Sequence, residues 1–179
     1  MRRVVKTGLG VLGAGVALAA AVAAIGAALP VTHHVSREAI IAAPRESVYA
    51  AIEAVERYPE WRSGVERIER DTAGSEVRWV EHGADGTIPY EVVERRPGER
   101  LVTQIADDDL PFGGTWSFEL ADAPGGTRVR ITEDGEVYNP FFRFMSRYVL
   151  GHTAGVERYL ADLSARFGAA QSPGRQVPE

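Results

Sequence analysis

The chain has 179 residues, of which 20 are Lys or Arg and 25 are Asp or Glu, for a formal charge of −5. That sign is opposite to the clustered positive charge of a nucleic-acid binder. The absence of cysteine removes disulfides, thiolate nucleophiles and cysteine-ligated metals.

Gly8 to Leu29 is an unbroken apolar run of 22 residues. As a helix rising ~1.5 Å per residue it would reach roughly 33 Å, enough for a hydrocarbon core of ~30 Å. Arg2, Arg3 and Lys6 precede it, whereas Arg37-Glu38 and Arg45-Glu46 balance one another beyond it. This bias predicts a single-pass membrane anchor, with the N-terminus cytoplasmic and the following domain extracytoplasmic. The alternative is a secretory signal cleaved near Gly26 and Ala28, although such signals carry a shorter apolar stretch of ~7–15 residues. The predicted organisation is a basic flank and anchor over 1–31, one domain over 32–168 and a disordered tail over 169–179. All three basic residues of the first 31 leave with that segment and no acid does, so the remainder is formally −8.

Thr32 to Ala42 reads as a first strand. Pro44 suits the first position of a helix, and Val48, Ile52 and Val55 then recur at helical spacing. A second helical turn over Glu56 to Ser63 carries Tyr58, Pro59 and Trp61. Six strand signals follow, at Val65–Thr72, Glu76–His82, Thr87–Arg95, Arg100–Ala106, Gly114–Leu120 and Thr127–Tyr138. Their dividers are short and rich in Gly, Pro and Asp, which predicts antiparallel hairpins. Asn139 and Pro140 open a last element in which Phe141, Met145, Tyr148, His152, Val156, Tyr159, Leu163 and Phe167 keep helical spacing. That pattern predicts one helix of about seven turns. The result is an α+β domain in which a curved antiparallel sheet of six to seven strands grips a long C-terminal helix, with a cavity between them.

The segment Ala42-Ala43-Pro44-Arg45-Glu46-Ser47-Val48-Tyr49, the turn Tyr58-Pro59-Glu60-Trp61, and the pair Gly113 to Leu120 and Thr127 to Glu133 carry a family resemblance. Over Thr32 to about Gly168 the chain resembles the START-like, or SRPBCC, superfamily, which includes bacterial polyketide cyclase/dehydrase-like proteins and the birch-pollen allergens. The resemblance implies a helix-grip fold. The superfamily hosts ligand binding, lipid transfer and cyclisation, so function has to be argued from the site. Its hydroxylase subunits would need an iron–sulfur domain and a two-His-one-carboxylate iron site, which a chain with four His and no Cys does not offer. No metal and no cofactor are expected. His33-His34 reads as a polar segment leaving the membrane, and Asp107-Asp108-Asp109 as a solvated hairpin tip.

Alternation places Trp116, Phe118 and Leu120 on one strand face and Val129, Ile131 and Glu133 on another. Glu133 is an acid in an apolar row, where desolvation would raise its pKa, unless a bulge near Gly135 turns it to solvent. His152 lies on the apolar helix stripe, as a ligand partner or as a satisfied core histidine. Trp61, Trp79, Tyr90, Trp116, Phe118, Glu133, Met145, Tyr148 and His152 are the expected lining of the cavity. The functional expectation is binding of an apolar or amphipathic small molecule (a lipid, isoprenoid, quinone or polyketide-like ligand) by a membrane-anchored domain. The first alternative is a cyclase or dehydratase using Glu133 and His152 as acid and base. The second is an interaction module with a collapsed cavity.

Overall fold

The computed structural model describes residues 18–71, 77–168 and 175–176. Seven strands form one antiparallel sheet: β1 (Thr32–Ile41), β2 (Val65–Asp71), β3 (Arg78–Gly83), β4 (Gly86–Arg96), β5 (Arg100–Ile105), β6 (Phe112–Ala123) and β7 (Gly126–Val137). Their spatial order is β2-β3-β4-β5-β6-β7-β1, and a two-residue strand, β8 (Arg175–Gln176), pairs with β1 at Arg37 and Glu38. Strands β2 to β7 therefore form a meander, and β1 returns to pair with β7 along its whole length, Thr32 opposite Glu136 and Ile41 opposite Thr127. The two-residue Ala84-Asp85 turn joins β3 to β4, with Gly86 at φ 102°, a conformation that glycine takes without steric cost.

A helix over the described residues 18–28, α1, precedes β1. Helix α2 (Arg45–Glu53) follows β1, and a 3-10 turn over Val55–Glu60 follows α2. The chain after β7 enters a short helix α3 (Pro140–Met145) and ends its helical part in α4 (Ala154–Arg166). Helix α4 lays Val156, Tyr159, Leu160 and Leu163 against the sheet, each at most 4% exposed. They meet Ile41, Val48, Ile52, Leu101, Phe118, Val129 and Ile131 in one core. Helix α2 covers the same face of the sheet through Val48, Tyr49, Ala51 and Ile52.

The seven-turn C-terminal helix is corrected by the structure. Asn139 caps α3, its side-chain oxygen accepting from Phe141 N at 2.9 Å. A π turn over Ser146–Leu150 follows, and the chain then breaks at Gly151, with φ 77° and ψ 147°. The apolar spacing persists across the break only because Tyr148, His152 and Val156 happen to keep a step of four. Consequently Phe141 and Tyr148 face solvent, 51% and 60% exposed, Met145 is half-buried, and none of the three closes the core.

Of the apolar run Gly8–Leu29, residues 8–17 lie outside the described residues, and α1 accounts for most of the rest. Among the described residues no helix is long and apolar enough to cross a membrane. The end of α1 is docked on α3: Gly26 packs directly on the Pro140 carbonyl, and Arg143 Nη1 donates to the Leu29 carbonyl at 2.9 Å. The expected disorder over 169–179 also falls outside the described residues, except at Arg175 and Gln176.

Candidate functional site

A cavity of about 90 Å³ lies between the sheet and α4. Tyr58 begins its floor. The 3-10 turn containing Pro59 fixes the Tyr58 ring, whose hydroxyl donates to the Ile52 carbonyl at 2.6 Å. Tyr159, from α4, donates to the Tyr58 hydroxyl at 3.3 Å. The Arg62 guanidinium sits 4.8 Å from the ring centroids of both tyrosines and donates to Glu81 Oε2 at 2.8 Å. A cation held between two π faces and a carboxylate is attracted by all three.

The walls are aromatic. Trp79 and Tyr90 are directly opposite one another on β3 and β4 and stack with centroids 5.4 Å apart. Trp116 and Phe118 come from β6, and α4 approaches Trp116 closely at Gly155. Trp79 is 3% exposed, and its indole N–H has no hydrogen-bond partner among the described residues. At the mouth, Arg158 of α4 donates to Asp85 of the β3–β4 turn at 2.5 Å, so an exposed ion pair links helix to hairpin across the opening.

Burial shapes the electrostatics. Desolvation pushes the Tyr58 phenol up to about 12 and raises Tyr90 and Tyr159 as well, so all three are neutral donors at physiological pH. Desolvation also raises Glu81, against the pull of the Arg62 charge and hydrogen bond. For Arg62, burial works against the charge, but Glu81 and the surrounding tyrosines outweigh it and keep the guanidinium protonated. The cavity therefore offers a fixed Arg62–Glu81 ion pair, neutral phenols and large π faces, with Arg158 and Asp85 at its mouth, an environment suited to orienting a polar group on an aromatic or amphipathic molecule.

Of the residues expected from the sequence, the structure brings Trp79, Tyr90, Trp116 and Phe118 together around this cavity. Trp61 packs edge-on to Tyr58 and Tyr159 from behind, at 5.4 and 5.3 Å, and supports the lining without joining it. Met145 and Tyr148 are displaced by the helix break. Glu133 and His152 do not line the aromatic cavity. Glu133 Oε1 approaches His33 Nε2 at 3.5 Å, and the His33 ring stacks on His152 with centroids 4.3 Å apart. His33 fits there because Gly135 of β7 has no side chain; a Cβ at that position would overlap the imidazole. Glu133 is 21% exposed at its side chain and keeps access to water. Tyr58, Arg62 and Glu81 also line the cavity and are absent from the lining expected from the sequence, whereas Tyr159 reaches it from the helical stripe expected to cover the sheet.

Several solved structures share this fold. The aromatase/cyclase Zhui from Streptomyces sp. R1128 is 13% identical, with 78% of this chain and 99% of that one covered and a TM-score of 0.63. The di-domain ARO/CYC StfQ from the steffimycin biosynthetic pathway is 15% identical with a TM-score of 0.61; 76% of this chain aligns, and it spans 51% of StfQ. The protein TTHA0849 from Thermus thermophilus is 27% identical over 78% of this chain and 100% of that one, with a TM-score of 0.60. Among curated proteins, none matches the chain. The family described as polyketide cyclase / dehydrase and lipid transport matches residues 32–168, the segment that builds the whole cavity, and the chain belongs to that family.

Proposed function

We propose that the domain binds an apolar or amphipathic small molecule, with a polar group directed at Arg62 and its ring or chain against Trp79, Tyr90 and Trp116. The observation that carries this reading is the Arg62–Glu81 ion pair set among aromatic walls, one of which, Trp79, has an indole N–H without a partner among the described residues. The cavity, about 90 Å³, is smaller than the ~150 Å³ void that admits benzene. A ligand larger than that volume requires the side chains lining the cavity to yield. Retention of Gly8–Leu29 as a membrane anchor would place this domain beside a reservoir of such ligands, with the domain outside the cytoplasm; protease digestion of the domain in intact spheroplasts tests that placement.

Cyclisation is the second reading, favoured by the aromatase/cyclases Zhui and StfQ among the structures sharing the fold. In this chain an acid–base role for Glu133 and His152 has no support from the aromatic cavity, which neither residue lines. Native mass spectrometry of the chain extracted from its own membrane, followed by titration of tryptophan fluorescence with a hydroxynaphthoquinone, tests the binding reading. The expected result is a co-purifying small molecule, together with quenching that weakens about tenfold in an Arg62→Met/Glu81→Leu double variant. An empty wild-type protein that the quinone does not quench would favour the interaction module.

A further inference from the structure

A second cavity, of about 320 Å³, opens where α1 passes into β1 beside α3 and the π turn. Leu29 contributes to its apolar side, and Arg143, Ser146, Arg147, His33 and His152 to its polar side. The nearby acids are engaged elsewhere: Glu133 faces His33 at 3.5 Å, Asp134 holds His34 at 2.6 Å, and Glu136 accepts from the Tyr138 hydroxyl at 2.6 Å. The two arginines are not matched by carboxylates. Arg143 donates to the carbonyls of Leu29 and Tyr138 at 2.9 and 3.2 Å, and its buried Nε has no partner among the described residues. Arg147 makes no hydrogen bond or ion pair among the described residues.

The segment that supplies Arg143 and Arg147 carries a second, independent feature. Phe141 and Phe142 on α3 and Tyr148 and Val149 on the π turn do not line the cavity and are 45–60% exposed. Exposed aromatic and aliphatic side chains beside unpaired cations are the composition of a surface lying at a headgroup boundary. The same corner adjoins the end of the apolar run at Leu29. Arginines suit phosphate oxygens because several N–H donors converge on one anion.

We infer that this cavity is a phosphate site, filled by the headgroup of an anionic phospholipid while Phe141, Phe142, Tyr148 and Val149 rest among the acyl chains. The lipid source of the phosphate rests on the membrane placement proposed above; the phosphate chemistry does not.

The test uses the full chain in neutral maltoside micelles, titrated calorimetrically with dihexanoyl phosphatidylglycerol, dihexanoylglycerol and inorganic phosphate. Phosphatidylglycerol is expected to bind at least ~10-fold more tightly than either of the others, and Arg147→Gln to weaken it about 10-fold. Arg147 is exposed and unpartnered, so this variant keeps the wild-type melting temperature, whereas Arg143 also holds two carbonyls and is the weaker probe. Inorganic phosphate binding as tightly as the lipid, with equal sensitivity to Arg147→Gln, supports the site and assigns its source to free phosphate. Equal binding of phosphatidylglycerol and dihexanoylglycerol, or no effect of Arg147→Gln, overturns it. Release of the chain from cell membranes by alkaline carbonate, with phosphatidylglycerol binding retained, would sink the anchor and leave the phosphate site standing.

Discussion

The imidazoles of His33 and His152 stack with 27° between their planes and 4.3 Å between centroids. This contact joins the first residues of β1 to the loop that follows the π turn, so two distant stretches of chain share one titratable junction. Burial, then His33, then Arg147 hold His152 below its ordinary 6.5, and Glu133 opposes them. The unfolded chain therefore takes up this proton at a higher pH than the folded chain. Stability should fall as pH drops below about 6.5 and level off once the folded form is also protonated. Thermal melts from about pH 7 to 5 should show that slope, and His152→Gln should flatten it. Equal slopes for the two proteins would remove His152 as the cause.

Arg62 and Glu81 should behave as a unit. Either single change, Arg62→Met or Glu81→Leu, strands a charge whose side chain is under one-fifth exposed, at a cost of up to ~3–5 kcal/mol. The double variant should cost well under the sum of the two. Urea unfolding of the four proteins measures the coupling; strict additivity would mean that the pair is solvated and not a fixed feature of the cavity.

Alkali should open the fold through its phenols. Tyr58 is held at about 12 against an ordinary 10, so its contribution is complete below pH 10 and is lost as pH rises from 10 towards 12. The loss is on the order of 2–3 kcal/mol. Tyr90 and Tyr159 are raised in the same sense. Phenolate absorbance should therefore show Tyr58, Tyr90 and Tyr159 ionising together with loss of far-ultraviolet dichroism, after the exposed phenols have titrated. A single gradual titration of all six tyrosines would contradict their burial.

The two halves of the C-terminal segment should respond oppositely to truncation. Leu163 is fully buried, and Leu163→Ala should cost ~2–5 kcal/mol. Tyr148 is 60% exposed, and Tyr148→Ala should change stability by under ~0.5 kcal/mol. A large loss at Tyr148 would restore the continuous helix.

The meander was legible in the sequence because its turns carry chemistry that strands avoid: Ala84-Asp85-Gly86 and Pro124-Gly125-Gly126 sit where hairpins reverse. The helix break was not, because Gly151 costs a helix only about 1 kcal/mol by propensity and the apolar spacing runs straight through it. Alternation on β6 put Trp116 and Phe118 on one face, but it left the facing of Trp79 and Tyr90 open, because that depends on the β3–β4 register. Arg62 and Glu81 escaped because charged residues read as solvated by default. A signal was nevertheless present: Glu81 lies two residues from Trp79, on the same strand face as a side chain that is 3% exposed. His33 was unreadable as the partner of Glu133, since their meeting depends on the β1–β7 register and on the bare backbone of Gly135.

The pairing of β1 with β7 also sets an order of events during synthesis. β1 leaves the ribosome before every other strand of the sheet, yet its partner β7 ends at Val137. At roughly 5–20 residues per second the wait is about 5–20 s. Throughout that interval the backbone of β1 has no strand partner and lies next to an apolar segment, which is the condition under which strands pair with the wrong neighbour. Folding of the meander can begin from β2 onward, hairpin by hairpin, but closure of the sheet is a late, long-range step. A nascent chain arrested after β5 should accordingly be the species that chaperones hold and proteases find.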